Sequence, residues 1–220
     1  MADVSIEREA APAASAVANP APLGLSAFAM TTFVLSVVNA GLVHSQVASV
    51  VIGLAFFYGG LCQLFVGFWE YRNGNTFGAT AFTSYGAFWI SFASLITPLF
   101  GGQSAVGLLL GSKGAIVGDA GAGIGLYLLG WTIFTGIMAI GTLRLNGALI
   151  AVFGFLFLTF LFLTFGWLSD TTTALNDTGT MINIGGWLGI ITAVLAWYTA
   201  AAGVLASVNS PFKLPVFPMS

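Results

Sequence analysis

Six long apolar segments separated by short breaks dominate this sequence and limit what it can fold into. They cover residues 22–43, 47–69, 79–100, 122–142, 147–168 and 182–207. Each contains the roughly 20 residues that a helix needs to cross the hydrocarbon core of a bilayer. Only 5% of the residues are charged, whereas a soluble domain has about 25%. The sequence therefore predicts an all-α integral membrane protein, a bundle of six transmembrane helices.

The apolar segments divide the chain into three parts. Residues 1–18 lack the basic start and apolar stretch of a signal peptide and are predicted to be a flexible tail. Residues 19–207 are the predicted transmembrane domain, and residues 208–220 a short C-terminal segment. The connection over residues 101–121 is apolar and rich in glycine, which fits an interfacial loop or a re-entrant segment. We favour the interfacial loop.

Basic residues set the predicted orientation of the bundle. With six spans, both ends of the chain lie on the same side of the membrane. Arg8, Arg72, Arg144 and Lys213 fall on that side, whereas Lys113 falls on the other. Because short cytoplasmic loops carry the excess of Lys and Arg, both termini are predicted to be cytoplasmic. The predicted location is the cell membrane, which the chain crosses several times.

Composition excludes several classes of function. The net charge is -2 and the basic residues are scattered, so no surface is predicted to bind nucleic acid. A single cysteine, Cys62, cannot form an intrachain disulfide, and a single histidine, His44, cannot supply a histidine-rich metal site. Phosphate-binding, zinc-protease and nucleophile-elbow motifs are missing from the sequence. We therefore expect no enzyme, no cofactor and no metal.

The spans contain uncharged polar residues and no charge near their centres. Gln63 stands out because an amide in hydrocarbon needs a partner or a water-filled lumen. Thr31 fits an interhelical hydrogen bond or the wall of a pathway, and Trp131 fits the core or a lumen. Transport is the class of function that this chemistry favours, but hydropathy does not name the solute.

Two sequence blocks resemble a known family. They are Asn-Pro-Ala-Pro-Leu-Gly-Leu over residues 19–25, and a longer block made of residues 57–60, 63, 70–71, 74–78, 80–86 and 88–89. In order and spacing these blocks are similar to the signatures of the acetate uptake transporter family, which includes the succinate-acetate permeases. Weaker matches at residues 127, 131, 134–135 and 141–143 extend the resemblance across residues 19–207.

The resemblance implies a homohexamer in a lipid bilayer, with a separate pathway through each six-helix protomer. It implies acetate as the main solute and succinate in some members. By motif position, Phe28, Tyr85 and Leu156 resemble the residues of an apolar constriction. A slip of one residue in the phenylalanine-rich fifth span would nominate Phe155 or Phe157 instead of Leu156.

The remaining predicted lining residues are Asn19, Gln63, Thr31 and Trp131. Asn19 precedes the first span, where an asparagine caps free N–H groups and the helix N-terminus attracts a carboxylate. We therefore expect it at the inner mouth of the pathway. Whether transport is through a channel or by proton symport stays open. The alternatives are a channel for a neutral solute such as urea or a short amide, and a sensor or scaffold with a sealed constriction.

Overall fold

The computed structural model describes residues 17–97, 120–169 and 179–219, and these contain six helices long and apolar enough to cross a membrane. They are α1 (Ala21–Asn39), α2 (Ser49–Arg72), α3 (Thr76–Ile96), α4 (Ala120–Thr142), α5 (Gly147–Ser169) and α6 (Thr180–Ser207). The predicted all-α bundle of six transmembrane helices is confirmed. Most of the predicted tail and of the connection over residues 101–121 lies outside the described residues.

Several helix ends differ from the predicted spans by one to four residues, and two of these differences have a clear local reason. α1 stops at Asn39 rather than at residue 43, because Gly41 has a positive φ of 72°. The backbone N–H of the next residue, Leu42, bonds to the Val37 carbonyl at 3.2 Å, which closes the helix in a Schellman motif. α3 begins at Thr76 instead of residue 79, since Asn75 caps its first turn.

The second helix contains a π-helical stretch, Leu54–Cys62. A 3₁₀ turn over Ser45–Ala48 comes directly before the first residue of the helix. In a π-helix each N–H bonds to the carbonyl five residues earlier. A Cβ at Gly60 would collide with the carbonyl oxygen of Ala55, so this wider turn requires glycine there. The stretch changes the direction in which the following residues of α2 point, Gln63 among them.

The six helices form a ring in chain order, in which each helix packs against the next and α6 returns to α1. α2 and α3 approach closely, because a Cβ at Gly86 would lie 2.7 Å from the backbone nitrogen of Leu64. The backbones of α3 and α4 are further apart. Large side chains bridge that gap, and the Tyr127 hydroxyl bonds to Ser91 at 2.7 Å. The centre of the ring is therefore bordered by side chains rather than by tightly packed backbone.

The C-terminal segment, residues 208–219, folds back over the helix ends. The backbone N–H of Gly147, at the start of α5, donates to the Phe217 carbonyl at 2.8 Å. The Tyr198 hydroxyl of α6 donates to the Pro215 carbonyl at 2.7 Å. These bonds hold the segment against α5 and α6, across the end of the ring where α1, α3 and α5 begin.

Candidate solute pathway

A cavity of about 510 Å³ lies inside the ring, lined mainly by α1, α3, α5 and α6. Gln63 contributes from α2, and Leu214 and Val216 contribute from the C-terminal segment. Every lining residue is uncharged. The polar groups in the wall are amides and hydroxyls, from Asn19, Gln63, Asn75, Tyr85, Asn146 and Thr199. The cavity can therefore solvate a small polar molecule without presenting a fixed charge to it.

Three asparagines lie at one end of the cavity, which we call the asparagine end. The side-chain oxygens of Asn19, Asn75 and Asn146 each accept a hydrogen bond from a backbone N–H in the first turn of α1, α3 and α5, at 3.0, 3.0 and 2.9 Å. Three helix N-termini thus converge on the same space. Each N-terminus carries a partial positive charge of about half an elementary charge. The helix N-termini thus give the wall of the asparagine end partial positive charge, although no Lys, Arg or His side chain lines the cavity.

The opposite end of the cavity is lined by Phe28, Tyr85 and Leu156, the residues predicted to form a constriction, which we call the constriction residues. In α1, α3 and α5 they are the lining residues furthest from the asparagine end. Each lies seven to nine residues from the start of its helix, or about 10 to 14 Å at 1.5 Å per residue. Their exposures are 5%, 3% and 3%. The three predicted residues therefore lie at one depth and border one space.

Tyr85 is held in this position by neighbours on several sides. Its hydroxyl forms a hydrogen bond of 3.0 Å with Thr135 of α4. Its ring centroid lies 5.9 Å from that of Phe28, 5.5 Å from Phe134 and 6.1 Å from Phe153. Such tilted and edge-on aromatic pairs add about 0.5 to 1.5 kcal/mol each beyond their buried area. The position of the Tyr85 ring is consequently fixed by a packed aromatic cluster and one hydrogen bond.

The structure brings together five of the seven residues that the sequence singled out. Asn19, Gln63 and the three constriction residues line the cavity. Thr31 is fully buried outside the lining, where it donates to the Ala27 carbonyl at 2.9 Å. Trp131 also lies outside the lining and supports it from behind, with its ring centroid 6.1 Å from that of Tyr85.

Most of the residues that line the cavity were not predicted, and four of them are informative. Asn75 and Asn146 each precede a helix, which is a signal for capping but does not by itself indicate a cavity. Leu214 and Val216 belong to a segment whose docking the sequence does not reveal. Within the described residues, no group of His, Cys, Asp and Glu side chains has the arrangement of a metal site.

An uncharged cavity inside a bundle of six membrane-spanning helices is the arrangement of a multi-pass membrane protein that transports small solutes. The GPR1/FUN34/yaaH family model matches residues 4–220. The chain belongs to this family, and the family resemblance predicted from its sequence blocks is confirmed.

Two relatives and one solved structure are similar to this chain over most of its length. It is 48% identical over 206 residues to acetate permease A of Emericella nidulans, covering 92% of this chain and 67% of that protein. It is 37% identical to the succinate-acetate/proton symporter SatP of Escherichia coli, covering 92% and 95%. The structure of the bacterial acetate channel SatP superposes with a TM-score of 0.74 at 34% identity, covering 91% of this chain and 99% of that chain.

Proposed function

We propose that this chain transports acetate and similar small carboxylates, succinate among them, through the cavity of each protomer. The observation that carries the proposal is an uncharged cavity with three helix N-termini at one end and Phe28, Tyr85 and Leu156 at the other. Two relatives bear acetate or succinate in their names. The groups that line the cavity suit the passage of a solute rather than catalysis.

The asparagine end supplies the attraction for an anion. A helix N-terminus stabilises a negative group by typically 0.3 to 1 kcal/mol when exposed, and by up to about 2 kcal/mol when partly buried. Three termini acting on one space therefore provide a modest binding energy. Attraction of this size concentrates a carboxylate without trapping it, which conduction requires.

The constriction supplies the selection. A solute passing Phe28, Tyr85 and Leu156 loses most of its water, because these side chains offer one hydroxyl, and that hydroxyl already bonds to Thr135. A small solute with a compact apolar part fits this step, whereas a large hydrated one is excluded by size. Gln63, which is 1% exposed and borders the same space, is the amide available to a carboxylate there.

Orientation, location and assembly complete the proposal. Arg72, Arg144 and Lys213 all lie at the asparagine end of the bundle, so this end faces the cytoplasm of a cell membrane by the positive-inside rule. One face of α4 exposes Ile133, Ile137 and other apolar side chains. Such a face contacts lipid or a neighbouring protomer, and we propose a homohexamer.

Exchange of radiolabelled acetate into proteoliposomes loaded with unlabelled acetate tests the function. At neutral pH nearly all acetate is already ionised, so that leakage of the free acid through lipid is slow, and protein-free liposomes measure the remainder. We expect exchange above that background, lowered by unlabelled succinate. Exchange at the protein-free rate would refute acetate transport. Exchange of labelled urea but not of acetate would instead establish the channel for a neutral solute.

A further inference from the structure

Glu70 is the one buried charged residue in the described part of the chain. It lies in the last turn of α2, yet its side chain is 2% exposed. Its Oε2 accepts a hydrogen bond of 2.8 Å from the Asn75 amide nitrogen. Its other oxygen, Oε1, is buried with no hydrogen-bond partner. A buried carboxylate with one oxygen unpaired is costly, so its position calls for a functional explanation.

The Glu70 carboxyl lies directly behind the wall of the cavity. Asn75, its partner, and Gly78 both line the asparagine end. A Cβ at Gly78 would come within 3.0 Å of the Glu70 Cδ and 2.5 Å of the Asn75 amide nitrogen. The missing side chain at Gly78 therefore leaves the space that the Glu70–Asn75 pair occupies. Asn75 and Gly78 therefore stand between the Glu70 carboxyl and a solute at the asparagine end.

No other charged side chain faces Glu70 from the helices around it. α1 and α3, which pack against this part of α2, contain no Asp, Glu, Lys, Arg or His. The titratable residue of α3 is Tyr85, whose hydroxyl bonds to Thr135. On α2 itself, Tyr71 and Arg72 are exposed to the surroundings. The charge on Glu70 is thus neutralised by no described residue, and a nearby solute becomes its principal electrostatic partner.

We propose that Glu70 is a proton-binding site linked to solute binding at the asparagine end. This inference rests on the proposed transport of carboxylates. A carboxylate held behind Asn75 and Gly78 is a like charge for ionised Glu70, and like charges in one site favour protonation of one of them. Glu70 then takes a proton from water onto Oε1 and becomes neutral. By reciprocity, protonation of Glu70 strengthens the binding of the anion by the same factor.

This linkage gives the uncharged pathway a means to couple solute and proton. The anion enters with a proton on Glu70, and when the anion leaves, the proton is released. The Glu70–Asn75 hydrogen bond persists in both states, because a neutral carboxyl still accepts from the amide. The site therefore changes its charge without a rearrangement of the wall.

Infrared difference spectroscopy of the full chain in lipid vesicles tests the site directly. ¹³C-labelled acetate, whose own bands are displaced, is added at fixed pH while the carbonyl stretch of protonated carboxyl groups is recorded. We expect acetate to increase this band in the unaltered protein but not in Glu70→Gln. His44→Gln removes the one histidine, at the opposite end of the bundle, and should behave as the unaltered protein. A band unchanged by acetate, or retained in Glu70→Gln, would overturn the proposal.

Acetate affinity as a function of pH provides the second measurement. We expect affinity in the unaltered protein to fall by up to tenfold per pH unit across the range in which Glu70 ionises. Glu70→Gln should bind acetate with no such dependence. Glu70→Asp keeps a carboxyl and should keep the dependence, which separates titration from a purely structural role. Acetate binding that is independent of pH in the unaltered protein contradicts this linkage alone, whereas the absence of binding in every variant contradicts the proposed function.

Discussion

Shortening Leu156 to alanine should widen the constriction and relax the selection of solutes. In soluble proteins a buried Leu→Ala change costs about 2 to 5 kcal/mol, from a transfer term and a cavity term. In a bilayer the transfer term is small, because lipid chains are as apolar as leucine. The vacated space also joins an existing cavity of about 510 Å³. We therefore expect a loss of stability near the lower limit, about 2 kcal/mol.

The effect on selection should be larger than the effect on stability. One methylene in an apolar pocket changes discrimination by about 10- to 200-fold, and Leu→Ala removes more than one carbon. We expect the ratio of lactate exchange to acetate exchange to rise by at least about tenfold. The measurement is exchange of each labelled solute into proteoliposomes loaded with the same unlabelled solute, at neutral pH, with the rate in protein-free liposomes subtracted.

Leu163→Ala is the matched control on the same helix. Leu163 lies seven residues further along α5, is 8% exposed and packs against Gly185 of α6. It does not line the cavity. We expect its thermal stability to fall at least as far as that of Leu156→Ala, with no change in the ratio of lactate to acetate. An unchanged ratio in Leu156→Ala, or an equal change in both variants, would refute the assignment of the constriction.

Three further changes test separate parts of the pathway. Thr135→Val leaves the Tyr85 hydroxyl buried without a partner, which should lower the free energy of unfolding by about 1 to 3 kcal/mol. The melting temperature should fall, whereas the aromatic rings around Tyr85 should keep the lactate-to-acetate ratio unchanged. A higher ratio would show that the hydrogen bond, and not only the rings, sets the selection. Asn146→Ala removes the cap of α5 and so weakens the attraction of one of the three N-termini for the anion. The half-saturation concentration for acetate should rise about two- to fivefold. An unchanged value would show that this terminus does not attract the solute. Deleting residues 212–220 removes Leu214 and Val216, the two apolar side chains that the C-terminal segment contributes to the wall. Acetate exchange should become faster. An unaltered rate would mean that the segment does not limit the entry of the solute.

The fold could be predicted from the sequence because the bilayer imposes one length on every span. Six segments of about 20 apolar residues leave few alternatives. Helix ends depend on finer chemistry, such as the left-handed Gly41 that stops α1. The π-helical stretch in α2 was not predicted, since it depends on how Gly60 packs against the carbonyl five residues earlier and not on a periodic pattern.

The site could be predicted only where a motif fixed the position of a residue. The faces of these helices are not distinguished by hydropathy, because lipid and the protein core both accept apolar side chains. Thr31 and Trp131 therefore could not be placed inside or outside the lining from the sequence. Glu70 follows the second apolar segment, at a position where a charged side chain is usually in contact with water. It is buried because the chain turns back after Gly74, whose φ is +72°, and brings Asn75 against the carboxyl.

The distribution of charge around the cavity explains how an anion could both enter and leave. A cation in the wall would hold a carboxylate strongly in surroundings of low dielectric constant, and would slow its release. Partial charges at three helix N-termini provide a weaker attraction that ends within about one helical turn. Glu70, the one buried charged residue among those that the structure describes, lies behind the wall and has the opposite sign to a cation. Its protonation can strengthen the attraction when the anion is present, and its ionisation can repel the anion afterwards. The weak attraction of the helix N-termini is constant, whereas the repulsion from Glu70 depends on its protonation. Together they allow one site both to bind the anion and to release it.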